Sequence, residues 1–503
     1  MTIKGNPRKL SHTAAEQLYV TFRSVTRQMT STTMDFISDV KFSPRSVEDT
    51  SRSCCPKSWS FCERRDHESP PLKEDGDDDK EQPQGGSMAE ISFNFINSII
   101  GSGLIGMPFA IRQAGLGVGI LLFLVVGLAA DYSVLLLIRA GNLSRTLSYQ
   151  EMMFKVFGRA GFVLATLLQF LLPFLTMVSY NVVIGDTITK VLTRFAGVTV
   201  HRDIIILAVT ALVTLPLSLY RNIDKLGKWS GLSILLTFFN IVVVYTRLAT
   251  SPSVPTTADA YQLYNNNIPQ GLGLVGIAIV CHHNSFVLYS SLSRPTSRRW
   301  RTVTHVSVFT ATAILLTFAL GGYLTFTGNT QGDILENFCL DDDLANVARL
   351  AFAVIVMMTY PLDCFVAREV VENVISTEDK GPFWRHALLT VTIAAAITGV
   401  SMITDCVGIV MELNGVLVAS PLAFIIPAVC VIQLRTDPIL SKANIGPLMV
   451  LFFGLLLTMI GLSTVVMEIY HGVSCNHGEE MAYCKASNNI HSVTQHITKR
   501  GVS

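Results

Sequence analysis

About eleven runs of roughly 20 apolar residues recur between residues 91 and 469, and that repetition commits the chain to a lipid bilayer. They fall near 91–113, 116–139, 161–190, 203–220, 230–249, 269–291, 302–327, 344–368, 384–403, 406–432 and 445–469, the fourth being the shortest. Lipid offers no hydrogen-bond partner, so each run must satisfy its own backbone as a helix. Composition agrees: charged residues make up 15% of the chain, where a soluble domain carries about 25%. An all-α integral membrane protein of about eleven helices is expected, with no nucleic-acid partner.

Lys and Arg sort the loops into two sets, and the richer set marks the cytosolic side. It holds Arg139, Arg145, Lys155 and Arg159; Arg221, Lys225 and Lys228; Arg294, Arg298, Arg299 and Arg301. Arg368, Lys380, Arg385, Arg435 and Lys442 extend it, whereas 250–268 and 328–343 contain no Lys or Arg. The N-terminus is therefore expected in the cytosol and the C-terminus outside. Residues 1–87 are polar, carry the acidic run 73–81 and lack any apolar stretch that could span. They read as a disordered cytosolic tail, ahead of a membrane domain over 88–470 and an exoplasmic tail over 471–503. Cys475 and Cys484 lie in that last tail, where a disulfide persists; Cys339 is a competitor. Cys54, Cys55 and Cys62 fall in the cytosolic tail.

Two runs resist closing as simple helices. The first contains Asn97-Ser-Ile-Ile-Gly-Ser-Gly-Leu-Ile-Gly-Met-Pro108, with Gly101, Gly103, Gly106 and Pro108 close together. The sixth, five runs later, reads from Gly271 to Phe286 and carries Cys281-His-His-Asn-Ser285. A glycine-rich helix can simply pack closely on a neighbour. Two interrupted spans at matching places in two five-helix halves instead point to a binding site between inverted repeats, as in secondary transporters. Metal binding by Cys281, His282 and His283 is the weaker reading, because adjacent residues diverge around a helix; for His283 a structural hydrogen bond is the plainer expectation.

The Asn-x-x-x-Gly-Ser-Gly pattern with Gly-x-Pro after it, the Cys281-His282 pair and the eleven-span layout resemble the sodium-coupled neutral amino acid transporters, within the amino acid and auxin permease group. Further stretches narrow the resemblance to one subfamily: Ser179-Tyr-Asn181 with Gly185-Asp186, Leu215–Asn222, Gly321–Gly328, Glu412-Leu-Asn-Gly415 and Cys475–Cys484. The resemblance covers residues 88–484. It implies two inverted five-helix repeats plus one extra helix, and sodium-coupled symport of small neutral amino acids by alternating access. It implies no cofactor beyond Na+ as coupling ion, and a monomer is expected, in the plasma or an endolysosomal membrane.

An amino acid's carboxylate suits free backbone N–H groups at a half-helix N-terminus, which Gly101, Ser102 and Gly103 can supply. Its ammonium suits carbonyls released around Ile279–His282. Tyr180, His282, Asn284 and Asn414 complete the candidate substrate-binding set. Sodium prefers oxygen ligands, and the resemblance assigns it Asn97 and Thr359. The plain alternative for Thr359 is a hydroxyl bonded back to its own helix. Ionisable groups inside spans are functional candidates. Asp186 reads as exposed to an outer vestibule and Asp363 as paired with Arg368 or a loop base. Glu412 departs from the family pattern of small residues, which makes it a candidate for proton coupling or gating. Two other classes compete: a proton-coupled amino acid transporter, and an amino-acid sensor of the same fold that signals through its cytosolic tail. An enzyme is not expected, since no Ser/His/Asp arrangement, paired-carboxylate motif or zinc motif is present.

Overall fold

A computed structural model describes residues 85–220, 224–250, 257, 260–375, 382–404, 407–471 and 481–484. The polar region through residue 84 and Cys475 lie outside the described residues, and of Ser102 only the backbone is described. Every one of the eleven expected spans falls on helix. Among the described residues, nine helices are long and apolar enough to cross a membrane, and the bent pair at the first break makes a tenth. The fourth span is the short exception: it runs as α-helix Arg202–Val209, a π-helical turn Thr210–Thr214 and α-helix Leu215–Ser218.

The helices that build the centre are α1 (Met88–Ile100) and α2 (Met107–Ala114), the two halves of the first span; α3 (Leu116–Ser144); and α4 (Tyr149–Ala196). Ser87 caps α1, its hydroxyl accepting the Glu90 N–H at 3.2 Å, which satisfies one of the free donors of the first turn. In α4 the helix kinks at Gly158, whose φ of 64° favours glycine, so the span begins beyond it, as the apolar run 161–190 implies. The sixth span is also two helices, α5 (Ile268–Ala278) and α6 (His282–Ser291), followed by α7 (Ser297–Phe326) and α8 (Asp343–Ile375). The tenth span starts as α9 (Val407–Leu413), passes through π-helical turns at Asn414–Ala419 and Pro421–Ile425, and ends as α10 (Ile426–Leu434); α11 (Ile445–His471) closes the chain of spans. Here α8 lies along α4, α7 along α1, and α2 against α5. Both broken helices are thereby enclosed by whole ones, which is where lipid-free backbone is tolerated.

The 328–343 loop is acidic and free of Lys and Arg, yet cations from the surrounding helices hold it down. Lys190 pairs with Glu336, Arg247 with Asp342, and Arg194 with Asp343 at 2.9 Å. Arg349, 1% exposed, donates to the carbonyls of Leu335 at 2.8 Å and Phe338 at 2.6 Å. Residues 481–484 are strapped to the same loop: the Tyr483 hydroxyl donates to the Asn337 carbonyl at 2.5 Å. The expected Cys475–Cys484 disulfide is corrected here, since Cys484 is bonded to Cys339, with their Cα atoms 5.5 Å apart. Short sequence separation favoured Cys475, but the loop carries Cys339 to Cys484 from 145 residues away.

Candidate functional site

The first break opens at Gly101, with φ 24° and ψ −132°, a conformation that glycine reaches most easily. Its N–H still bonds to the Asn97 carbonyl at 3.1 Å. A 3₁₀ turn, Ser102–Gly106, follows, and α2 restarts with Pro108 in its first turn, where a missing N–H costs nothing. The two halves bend by 47°. The second break spans Ile279–Cys281, between α5 and α6.

The two breaks face one another. A Cβ built on Gly103 would lie 2.8 Å from the Ala278 Cβ, so only glycine allows the backbones this close. The Asn284 amide on α6 donates to the Ser98 hydroxyl on α1 at 2.7 Å, a cross-brace between the broken spans. A small cavity of about 40 Å³ lies at this junction. Gly101 and Gly103 line it from the first break and Ile277, Ala278 and Val280 from the second. Whole helices close the rest: Thr176 and Tyr180 on α4, Asp363 on α8 and Met411 on α9. Tyr180 is 2% exposed, and a Cβ on Gly101 would come within 3.2 Å of its hydroxyl, so the phenol sits directly over the break.

Of the expected substrate residues, Gly101, Gly103 and Tyr180 line this cavity. Asn284 touches it through Ser98, and Asn414 stands behind it: its amide donates to the Leu172 carbonyl and the Thr176 hydroxyl, both at 3.1 Å. His282 is a correction. It is fully buried beside Phe424, with ring centroids 6.0 Å apart, and does not line the cavity. Its neighbour His283 does, and lies 3.7 Å from the Asp363 carboxylate. The helix restarts at His282, and one residue is about 100° of rotation, so a one-place error turns the side chain away. Asp363 is a second correction: Arg368 turns instead to the Ser218 carbonyl at 2.9 Å and the Thr390 hydroxyl at 3.2 Å. Asp186 sits 3.8 Å from Arg202.

The Asn97 side-chain amide, 3% exposed, has no hydrogen bond among the described residues. The Thr359 hydroxyl donates to the Ile355 carbonyl at 2.9 Å, back onto its own helix. Glu412 is 2% exposed and accepts a hydrogen bond from the Thr464 hydroxyl on α11 at 2.8 Å. It does not line the cavity; Met411 beside it does. Among the described residues, no cluster of His, Cys, Asp and Glu is arranged to hold a metal ion. Ser98, Thr176, His283, Asp363 and Met411 are lining residues that the sequence reading did not place there. Asp363 carried a signal, being an acid inside a span one helical turn from Thr359.

The sequence profile of the family described as "Transmembrane amino acid transporter protein" matches residues 84–470. The chain is 45% identical over 408 residues to a Danio rerio protein named "Putative sodium-coupled neutral amino acid transporter 11", covering 80% of this chain and 90% of that one. The Homo sapiens protein of that name is 43% identical over 383 residues, or 75% and 93% of the two chains. Vacuolar amino acid transporter 2 of Saccharomyces cerevisiae is 28% identical over 422 residues, or 79% and 87%. Among solved structures, a manganese transporter from Eremococcus coleocola superposes with a TM-score of 0.50 at 14% identity, over 80% of this chain and 91% of that one. The likeness to that structure is one of fold, an all-helical architecture with inverted repeats.

Proposed function

This chain belongs to the transmembrane amino acid transporter family, and we propose that it carries small neutral amino acids together with sodium by alternating access around its two broken helices. It is a multi-pass membrane protein and a transporter, not an enzyme. One observation carries the reading: both backbone breaks line a single cavity under Tyr180. At Gly101–Gly103 the break presents small residues to a substrate carboxylate. The end of α5, from Ile277 to Val280, offers carbonyl oxygen to its ammonium. Ile99, Leu172, Ile277 and Met411 make the remaining wall largely apolar, which suits a short uncharged side chain. Asn97, whose amide has no hydrogen bond among the described residues, and Thr359 supply oxygens for sodium. The cytosolic N-terminus follows from the Lys and Arg distribution and belongs to the same proposal. The Saccharomyces cerevisiae relative's name makes an endolysosomal membrane the better supported residence.

Uptake of a panel of labelled amino acids into proteoliposomes, with sodium and proton gradients imposed separately, tests this. Flux of a small neutral amino acid driven by sodium supports it; no flux of any amino acid refutes it. A second reading, proton coupling, is favoured by His283 and Asp363, an acid and a base side by side on the cavity wall. Flux that follows only the proton gradient selects it. Glu412, held by Thr464 away from the cavity, is the weaker candidate for that role.

A further inference from the structure

A second cavity, about 540 Å³, lies away from the helix breaks. It is a groove between α3 and α7 at the end of the molecule that bears the basic loops. Arg139 and Asn142 line it from α3, and Ser297, Trp300, Arg301 and His305 from α7. Tyr132, Leu135, Leu136 and Ile138 make up the rest of its α3 wall, largely aliphatic. Arg139 closes the apolar run of the second span and Arg301 opens that of the seventh, so both guanidinium groups fall at the membrane–water boundary. Both are exposed, and neither forms an ion pair or hydrogen bond among the described residues.

The wall also holds an unmet donor. Trp300 is 1% exposed, its ring packed on Phe95 and Tyr289, yet its indole N–H has no hydrogen-bond partner among the described residues. A buried donor normally finds one. Asp131, near the groove, is engaged by His305, whose Nδ1 lies 2.8 Å from both carboxylate oxygens. The lining therefore offers two guanidinium groups and the Ser297 hydroxyl to a negative ligand. Toward the membrane centre the same two helices expose Leu124, Leu128, Val306 and Phe309, an apolar surface continuous with the groove's aliphatic side.

We propose that this groove binds an anionic membrane lipid, its phosphate between Arg139 and Arg301 and its acyl chains along the exposed apolar faces of α3 and α7. Charge complementarity selects the headgroup, and the apolar continuation selects a lipid over a soluble phosphate. Basic pockets between spans on the cytosolic side hold anionic headgroups in this manner. The inference needs only the membrane placement and stands apart from what is transported.

Trp300 supplies the readout, because bromine on a lipid acyl chain quenches a nearby indole. The full chain is reconstituted into phosphatidylcholine vesicles containing brominated phosphatidylserine or brominated phosphatidylcholine at equal mole fraction, and the Trp300→Phe variant isolates the Trp300 component. The serine lipid is expected to associate about tenfold more strongly than the choline lipid, given two facing arginines. Arg139→Gln/Arg301→Gln should reduce that ratio to about one, while Arg139→Lys/Arg301→Lys, which keeps the charge, retains most of it. Arg385→Gln, remote from the groove, should leave it unchanged. Gel filtration verifies that each variant folds, and if the glutamine pair does not fold, the ratio in the lysine pair and in Arg139→Gln alone decides. Equal quenching by both lipids in the wild type overturns the proposal. So does loss of the preference when inorganic phosphate is added at constant ionic strength, which would assign the groove to a soluble anion.

Discussion

Replacing Gly103 by alanine tests the claim that the two breaks form one site. The added methyl carbon would stand 2.8 Å from the Ala278 Cβ and 3.0 Å from its Cα. Unbonded carbons rest about 3.5–4.0 Å apart, so the broken helices would have to separate by roughly 0.7–1.2 Å at this point. Ala278 cannot rotate away, since the obstacle is its own backbone and Cβ. Overpacking of this kind costs about 1–3 kcal/mol. If that strain falls on the substrate-bound state, apparent affinity drops by about 5- to 150-fold. Gly106 in the same break is the internal control, because a Cβ there meets nothing closer than the Gly332 carbonyl at 3.7 Å. The assay is initial-rate uptake in proteoliposomes, normalised to protein that survives gel filtration, together with thermal unfolding of the purified protein. Gly103→Ala should raise the KM or abolish uptake, and Gly106→Ala should be near wild type. Wild-type uptake and melting in Gly103→Ala would show that the breaks are not in contact, and the site as described would be wrong.

Three further outcomes are expected. Asp363→Asn should abolish any uptake driven by an imposed proton gradient, because it removes the acid beside His283, whereas Glu412→Gln should preserve it; the reverse pattern would return proton coupling to Glu412. Burial, reinforced by Glu336, pushes the Asp333 carboxyl up to about 7. A carboxyl raised in the folded state binds its proton more tightly there than when unfolded. Its contribution to stability is therefore full below about pH 4 and is lost as pH rises through about 7. Thermal unfolding of Asp333→Asn should show a shallower decline than wild type across that window, and an unchanged slope would refute the assignment. Finally, non-reducing peptide mapping should recover a Cys339–Cys484 cross-link that survives Cys475→Ser and disappears in Cys339→Ser; loss of the link in Cys475→Ser would restore the pairing that sequence spacing favours.

What the sequence made legible was whatever depends on backbone chemistry along one segment. Apolar run length gave all eleven helical segments, because a span must satisfy its own hydrogen bonds. The glycines at 101 and 103 and the polar cluster after 280 gave both breaks, since helix closure fails locally there. The Gly158 kink could be anticipated only as the point where the apolar run begins. Side-chain direction was harder to read. Whether His282 or His283 meets the cavity depends on the rotation at which α6 restarts after the break, and no residue in the segment fixes that angle.

Glu412 and Asp363 show where reading stops, and why. Both are acids inside spans, and the cost of such a group requires a partner without saying which kind. Glu412 accepts a bond from Thr464, a hydroxyl 52 residues on in the last helix. Asp363 lies beside a histidine on the broken sixth span. Depth within a helix ranked Glu412 first, because it lies further from a span end. Packing separates the two: Glu412 lies between Thr464 of the last span and Gly273 of the sixth, outside the cavity lining, while Asp363 on α8 lines the cavity beside His283. An acid's mechanistic weight in this fold follows from which helix it faces, and that information resides in contacts between segments far apart in the chain.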